Sequence, residues 1–441
     1  MIPFEIGIGS VLVIVVLIYA GLYIPVALGL VSFVGVWIML GDVQKPINLL
    51  AVAAADTISH QVFATVPLFA MMGLLVSKAK LGNDVYQVAN FIFYKIRGGL
   101  GIATVAANAV FAAITGSSIA SASVFARISV PEMRKFGYTT RFSVGVVAGS
   151  SVLGMIIPPS AMLIIYAITA DQSIGQLFIA GIIPGVLLAV AFSVAILLMA
   201  KISPRFVGGP GVVDVPAVSE EWQSLTLLDV CRKLTPVVLL VVVVLGGIYG
   251  GIVTPVEAGA AGSLAALLIA ILRRCMSLAD FWECLVETGH ITASILFLIV
   301  AASMYSRMLG VAGLPTLFDA WLGEQGFGIV GLMVIYVILL ILLGTIIDTA
   351  SMILIVAPLF LPAVEALGLD LIWFGIITVI GAEIGLLTPP LGISCFVIKS
   401  TLNDPDITLK DIFVGAFPFA VIMLLVLIAL IAWPELSLAL L

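Results

Sequence analysis

Charge is what this sequence has least of. Only 10% of its 441 residues are Asp, Glu, Lys or Arg, against 63% hydrophobic ones, and the mean hydropathy is +1.32. A soluble globule carries about 25% charged residues, so this chain cannot cover a core with an ordinary water-facing surface. Reactive side chains are scarce too. Two histidines and four cysteines form no Ser-His-Asp, Cys-His or HExxH grouping, and no phosphate-binding glycine loop is present. Hydrolysis and ATP coupling are left without support. Cys231, Cys275, Cys284 and Cys395 lack metal-ligand spacing and read as free thiols. The net charge of −6 comes from charges segregated along the chain, an arrangement that does not suit nucleic acid. No Lys or Arg precedes Lys45, so the apolar N-terminus lacks the basic flank of a cleaved signal and is expected to remain as a mature span.

What the chain has instead is apolar runs, organised around the stretch from Gly99 to Arg127. Two short limbs, Leu100 to Ile114 and Ile119 to Ala126, meet at Thr115-Gly116-Ser117-Ser118. Each is shorter than the about 20 helical residues needed to cross a hydrocarbon core. Lys95 and Arg97 precede the first limb; Arg127, Arg134, Lys135 and Arg141 follow the second. By the positive-inside rule both ends face the cytoplasm. The stretch is therefore a re-entrant hairpin, and its tip lies at a depth where irregular backbone is tolerated only inside protein or beside a wet cavity.

The unit recurs. Gly326-Phe327-Gly328-Ile329 repeats Gly99-Leu100-Gly101-Ile102 at an offset of 227, and Gly344-Thr345 repeats Gly116-Ser117 at 228. After Pro131/Pro358 the offset widens to 231, which aligns Gly137/Gly368, Gly154/Gly385 and Pro158-Pro159/Pro389-Pro390. The flanks change sign: Asp319, Glu324, Glu365 and Asp370 surround the second hairpin, and no Lys or Arg lies between Arg307 and Lys399. The second copy is inverted. Inverted repeats with polar breaks at mid-membrane belong to secondary transporters whose site lies at the repeat interface.

The expected fold is an all-α polytopic membrane protein of two inverted repeats, with re-entrant hairpins, broken helices, and an elevator-type division into scaffold and transport domain. Residues 1–98 hold scaffold spans near 5–22, 24–40 and 64–82, an interfacial stretch at 43–62 and an inner amphipathic arm near 83–96. Residues 99–200 hold the hairpin, a helix broken at Pro158-Pro159 and a closing span; 201–233 is a cytoplasmic linker. Residues 234–325 repeat the scaffold with spans near 234–252, 255–272 and 289–309 and an outer arm near 314–323. Residues 326–441 hold the second hairpin at 326–360, a broken helix at 373–398 and a last span at 411–433. Of 18 basic residues, all but Lys45 and Arg307 fall on the cytoplasmic side, and ten crossings leave both termini outside.

Gly116, Ser117 and Ser118, with Gly344 and Thr345, offer hydroxyls, carbonyls and helix ends to a cation or a carboxylate. Small residues also pack transmembrane helices, but their recurrence beside two Pro-Pro breaks favours a site. Proline removes an amide donor and frees a carbonyl, so Gly154, Ile157 and Ser160, with Gly385, Thr388 and Leu391, supply the facing walls, in oxygen chemistry that suits a hard cation. Ser117, Pro158, Pro159, Asp348, Thr349, Pro389 and Pro390 are the substrate-facing candidates. Asp348 and Glu383 are acids within the membrane, where an unpaired charge is costly. At the offsets above they align with Ala120 and Val152. Asp348 either serves transport or caps its limb; Glu383 faces the site, a neighbouring helix or another subunit. Glu257 follows Thr254-Pro255 and reads as a helix cap, and His60 and His290 read as interfacial residues at span ends.

ITGSSIASA at 114–122, IIPPS at 156–160, TPVEAGA at 254–260, DTASMILIVAPLFLP at 348–362 and GLLTPPLG at 385–392 resemble the large membrane subunit of the tripartite ATP-independent periplasmic (TRAP) transporters, of the ion transporter superfamily. The resemblance implies a non-enzymatic, Na⁺-driven elevator in the bacterial inner membrane, surrounded by lipid. It implies a small four-helix membrane subunit as obligate partner and a periplasmic binding protein that delivers an organic acid such as a C4-dicarboxylate or sialic acid. No four-helix segment precedes residue 1, so that subunit is expected as a separate chain. The two Na⁺ sites would fall on Gly116, Ser117, Ser118, Gly154, Ile157 and Ser160, and on Gly344, Thr345, Gly385, Thr388 and Leu391. The alternative is a self-sufficient anion:cation symporter of the same superfamily. Topology is testable directly: in intact cells Arg134→Cys should be protected from an impermeant thiol reagent and Asp370→Cys labelled. The opposite pattern at either position would overturn the inverted repeat.

Overall fold

Apolar runs become helices wherever they were expected, and the differences arise where polar residues extend them. The computed structural model describes residues 3–209, 225–314 and 328–441, and every regular element among them is helical. Among the described residues six helices are long and apolar enough to cross a membrane, or seven if the bent pair Thr140–Ile156 and Ala161–Thr169 is one span. Asp319, Glu324, Gly326, Phe327, most of the outer arm and linker residues 210–224 lie outside the described residues.

The first two spans are Pro3–Tyr19 and Ile24–Leu40, and the mixed stretch at 43–62 forms a helix of its own, Gln44–Ser59. The span expected at 289–309 is the 34-residue helix Leu278–Val311. Hydropathy alone missed its start because Asp280 and Glu283 lie on its first turns, where both reach Lys78 at 3.1 and 2.6 Å. His290 consequently lies inside this helix, exposed, and not at a span end. The segment near 234–252 starts earlier as well, at Leu227, and passes through a π-helical stretch, Val242–Gly246. Thr254 and Glu257 form a reciprocal capping box at the head of Pro255–Leu272, as expected.

The first hairpin consists of Gly99–Thr115 and Ser118–Lys135. Its second limb continues well beyond Ala126 because the polar segment that ends the hydropathy run stays helical into the interface. The second hairpin consists of Ile329–Gly344 and Thr349–Ala366. Its turn is longer by two residues, which corrects the repeat register. Ser117 and Asp348 are the N-caps of the second limbs, so Asp348 corresponds to Ser117 and not to Ala120. The offset of 231 already holds at these caps; it pairs Pro131 with Pro362 and the helix-starting caps Thr139 and Asp370.

The inner arm, Leu81–Phe93, is amphipathic, but its apolar side is covered by the first hairpin, with Tyr86 fully buried beside Phe125. Its polar side is tied elsewhere: Asp84 pairs with Lys233 at 3.4 Å and with Arg273. Thr65–Lys78 packs on Pro255–Leu272, and Ser263 Oγ donates to Leu68 O at 2.6 Å.

The two hairpin-bearing halves interlock. Thr140–Ser151 lies against Leu409–Ala432 so closely that a Cβ on Gly415 would strike the Arg141 carbonyl oxygen, and one on Gly145 the Gly415 carbonyl. Phe192 and Phe419 stack edge to face at 5.4 Å, and Tyr166 reaches across to donate to Leu371 O at 2.7 Å. Arg134–Asp404 at 2.6 Å and Arg141–Asp411 at 2.8 Å tie the two halves together at one end. The Asp406 amide and the Arg134 guanidinium hold the Asp404 carboxyl below its usual range. Gly415→Ala should therefore lower stability by roughly 1–3 kcal/mol through overpacking, read as earlier thermal unfolding in detergent. Gly29→Ala, which meets nothing within 4 Å, should leave it unchanged or higher; equal effects would refute the backbone contact.

Candidate functional site

The site is built from two junctions, each a hairpin tip against a helix break. At the first, Gly99–Thr115 ends at Gly116, whose left-handed φ of 60° turns the chain. Ser117 is extended, and its Oγ accepts from the Ala120 amide at 3.3 Å. Opposite, Leu153–Ile156 stops at Ile157, followed by the cis Pro158-Pro159 bond. Ser160 caps Ala161–Thr169 and donates its hydroxyl hydrogen to Met155 O at 2.5 Å, an acceptor whose normal helical donor proline has removed. One backbone bond joins the two sides, Ala161 N–H to Gly116 O at 3.3 Å. The approach needs Gly154, because a Cβ there would lie 2.8 Å from Ser117 C and O.

The second junction repeats this. Leu371–Leu386 leads through Thr388 to the cis Pro389-Pro390 bond, and Ile393–Leu402 resumes the path. Leu391 N–H donates to Thr345 O at 3.2 Å, the counterpart of the bond to Gly116. Thr388 Oγ1 donates to Gly385 O at 2.9 Å. Gly344 and Gly385 touch backbone to backbone: a Cβ on Gly385 would lie 2.5 Å from Gly344 Cα. All eleven residues named as cation-site candidates thus fall on these two junctions, the first six on one and the remaining five on the other.

The junctions differ in exposure. Pro158, Pro159 and Ser160 are buried, whereas Pro389 and Pro390 are exposed and Leu391 is 43% exposed. The burial comes from Ile174–Ile202, where Gly181 and Gly185 bring that helix against Ile156 O and Ile157.

Among the substrate-facing candidates, Asp348 caps its limb: it accepts from the Ser351 amide at 3.0 Å and from the Ser351 hydroxyl. Thr349 is buried and donates to Glu383 Oε1 at 2.9 Å. Glu383 is wholly buried between the halves, with Thr349 of the second hairpin on one side and Ser118 of the first beside it. Glu383 Oε2 and Ser118 Oγ complete no hydrogen bond. Glu383 therefore faces the interior of this chain.

Sequence reasoning missed two polar braces. Asn108 Nδ2 donates to Ser150 Oγ at 2.7 Å, and the Tyr336 and Thr378 hydroxyls meet at 2.7 Å. Each ties a first hairpin limb to a broken helix. The two braces are not register equivalents, since the offset of 231 pairs Ser150 with Gly381 and not with Thr378, so matching the repeats by residue could not have found them.

Residues 11–436 match the family model for the DctM component of the tripartite ATP-independent periplasmic transporter. The chain belongs to this family. It is a transporter permease component rather than an enzyme. It is similar to the C4-dicarboxylate TRAP transporter large permease protein DctM of Pseudomonas aeruginosa, 34% identical over 89% of each chain. It is also similar to the sialic acid TRAP transporter large permease protein SiaM of Vibrio cholerae, 29% identical over 96% of each chain. Among solved structures, the Alcanivorax borkumensis YdaH transporter shares the fold at a TM-score of 0.63 and 15% identity, over 90% of each chain. Neisseria gonorrhoeae MtrF does so at 0.64 and 13%, over 88% of this chain and 84% of its own.

In this TRAP permease the Asp348 cap is tested through stability. Asp348→Ala should cost about 1 kcal/mol of stability, seen in detergent unfolding, while Asp348→Ser, which caps as Ser117 does, should restore most of it. Equal losses in both variants would refute capping as the structural role.

Proposed function

We propose that this large permease is the membrane part of a Na⁺-driven importer of a small organic acid in the bacterial inner membrane. In this reading a separate small four-helix subunit binds it, and a periplasmic binding protein delivers the acid. Relatives are named for C4-dicarboxylate, isethionate, sialic acid and ectoine transport, and a C4-dicarboxylate or a similar carboxylate is the cargo proposed here.

The paired junctions carry the reading. Proline leaves carbonyl oxygens at Gly154, Met155 and Gly385 without their regular helical donors, and Ser118 adds a buried hydroxyl with no partner. Uncharged oxygens gathered at the ends of broken helices suit a hard monovalent cation. The cation would be cargo held by Gly116, Ser117, Ser118, Gly154, Ile157 and Ser160, and by Gly344, Thr345, Gly385, Thr388 and Leu391. Bound cations would set the hairpin tips against the breaks and so favour carboxylate binding beside Ser117 and Asp348.

Movement follows the same division. The early spans at 5–82 and 234–309 form the proposed static scaffold, and the hairpins and broken helices within 99–200 and 326–441 the block that carries the site, with the arms near 83–96 and 311–323 as hinges and 201–233 linking the repeats. The interlocking of the two hairpin-bearing halves through Gly145–Gly415 and two ion pairs supports their moving as one body.

The test is a Na⁺ titration of uptake in proteoliposomes holding the complete transporter. Ser118→Ala and Thr388→Ala should each weaken Na⁺ dependence by about 1–2 kcal/mol, roughly 5–30-fold in half-saturation, with the protein still inserted. Unchanged titrations in both would remove these junctions as Na⁺ sites and leave a proton-driven carrier as the better account.

A further inference from the structure

Apart from Lys45, Arg307 is the one basic residue that the topology puts outside, and the hairpin tips do not use it. It lies near the end of Leu278–Val311 and ion-pairs with Asp56 of Gln44–Ser59. Both side chains line an open cleft of about 490 Å³, within the size range of sites for small organic ligands. The cleft has two kinds of wall. Asp56, Ser303 and Arg307 come from the proposed scaffold; Thr169 and Gln172, after the first broken helix, and Pro358, on the second hairpin, come from the proposed moving block.

We propose that this cleft is an anion-binding vestibule, in which Arg307 holds the carboxylate or sulfonate of the incoming molecule before it reaches the hairpin tips. The proposal rests on the importer reading above. Three observations carry it. A guanidinium presents a planar fork that fits a carboxylate two-pronged. Its present partner is itself a carboxylate, so Asp56 occupies the place that a ligand's anionic group would take. The pair is loosely held, because the Arg307 and Asp56 side chains are 34% and 53% exposed, and ion pairs so open to water exchange partners at little cost. The lining carries a second carboxylate, Asp171, beside the hydroxyl and amide groups of Ser303, Thr169 and Gln172 that can receive the rest of a polar molecule. Because the walls belong to both bodies, displacement of the hairpin-bearing block would dismantle the vestibule and release the anion from Arg307.

The test reads the cleft's charge preference without requiring transport. In a cysteine-free version of the full chain, reconstituted in lipid, Ser303→Cys is labelled with a sulfonate-bearing methanethiosulfonate and with its trimethylammonium counterpart. The ratio of the two rates should fall roughly threefold or more in Arg307→Gln, through loss of local anion attraction, and should rise in Asp56→Asn. Succinate at millimolar concentration should slow sulfonate labelling in the parent but not in Arg307→Gln. Arg307→Lys, which keeps the charge and loses the fork, should keep the ratio and lose the succinate protection. Equal ratios in the parent and both neutralised variants, or succinate protection that survives in Arg307→Gln, would overturn the proposal. The readout is labelling of the chain itself, so a failure of Na⁺-driven uptake counts against the importer reading alone.

Discussion

The architecture depends on one constraint: backbone amides and carbonyls cannot be left bare at mid-membrane. A hairpin that turns back inside the bilayer strands the polar ends of two limbs, and a helix interrupted by two prolines strands more. The fold sets one against the other. Ala161 N–H meets Gly116 O, and Leu391 N–H meets Thr345 O, so each tip satisfies part of the break that it faces. Contacts this close between backbones require residues without side chains, which is why Gly154 faces Ser117 and Gly385 faces Gly344. Hydroxyls take over where proline has removed a donor: Ser160 serves Met155 O and Thr388 serves Gly385 O.

Much of this was legible because the repeat is written in residues with special backbones. Gly116, the Pro-Pro pairs and the reversal of flanking charge located both junctions without any contact information. The register of the tips was harder. Matching Pro131 with Pro358 placed the change of offset after the second limb, whereas Ser117/Asp348 and Pro131/Pro362 place it in the turn. Two residues of different chemistry, a serine and an aspartate, perform the same capping task. A comparison of residue identities passes over that equivalence, and the cap geometry reveals it.

The remaining differences share a cause. Hydropathy reports where lipid begins, but helices continue through the interface when polar side chains have partners there. Ser118–Lys135 runs on past Arg127 toward Arg134, which finds Asp404, and Leu278–Val311 starts with the acids that find Lys78. Glu383 is the reverse case. Its place in the apolar segment was plain, but its partners come from two distant hairpins, Thr349 through a hydrogen bond and Ser118 by proximity. Only tertiary packing brings them to it.

The two halves also differ in a way that inverted symmetry does not require. Ile174–Ile202 lies over the first break through Gly181 and Gly185, while the second break is exposed at Pro389, Pro390 and Leu391. Yet the halves cannot respond separately. Pulling the first hairpin set from the second would separate Gly145 from Gly415, take Arg134 and Arg141 from Asp404 and Asp411, and strip Glu383 of Ser118. The remainder of the chain packs against them as well: Gly73 passes closely over the Thr115 carbonyl and Gly82 over Val124 and Phe111, while Lys233 and Arg273 hold the arm at Asp84. The two hairpin-bearing halves are therefore closely packed and mutually braced, one with its break buried and the other with its break exposed.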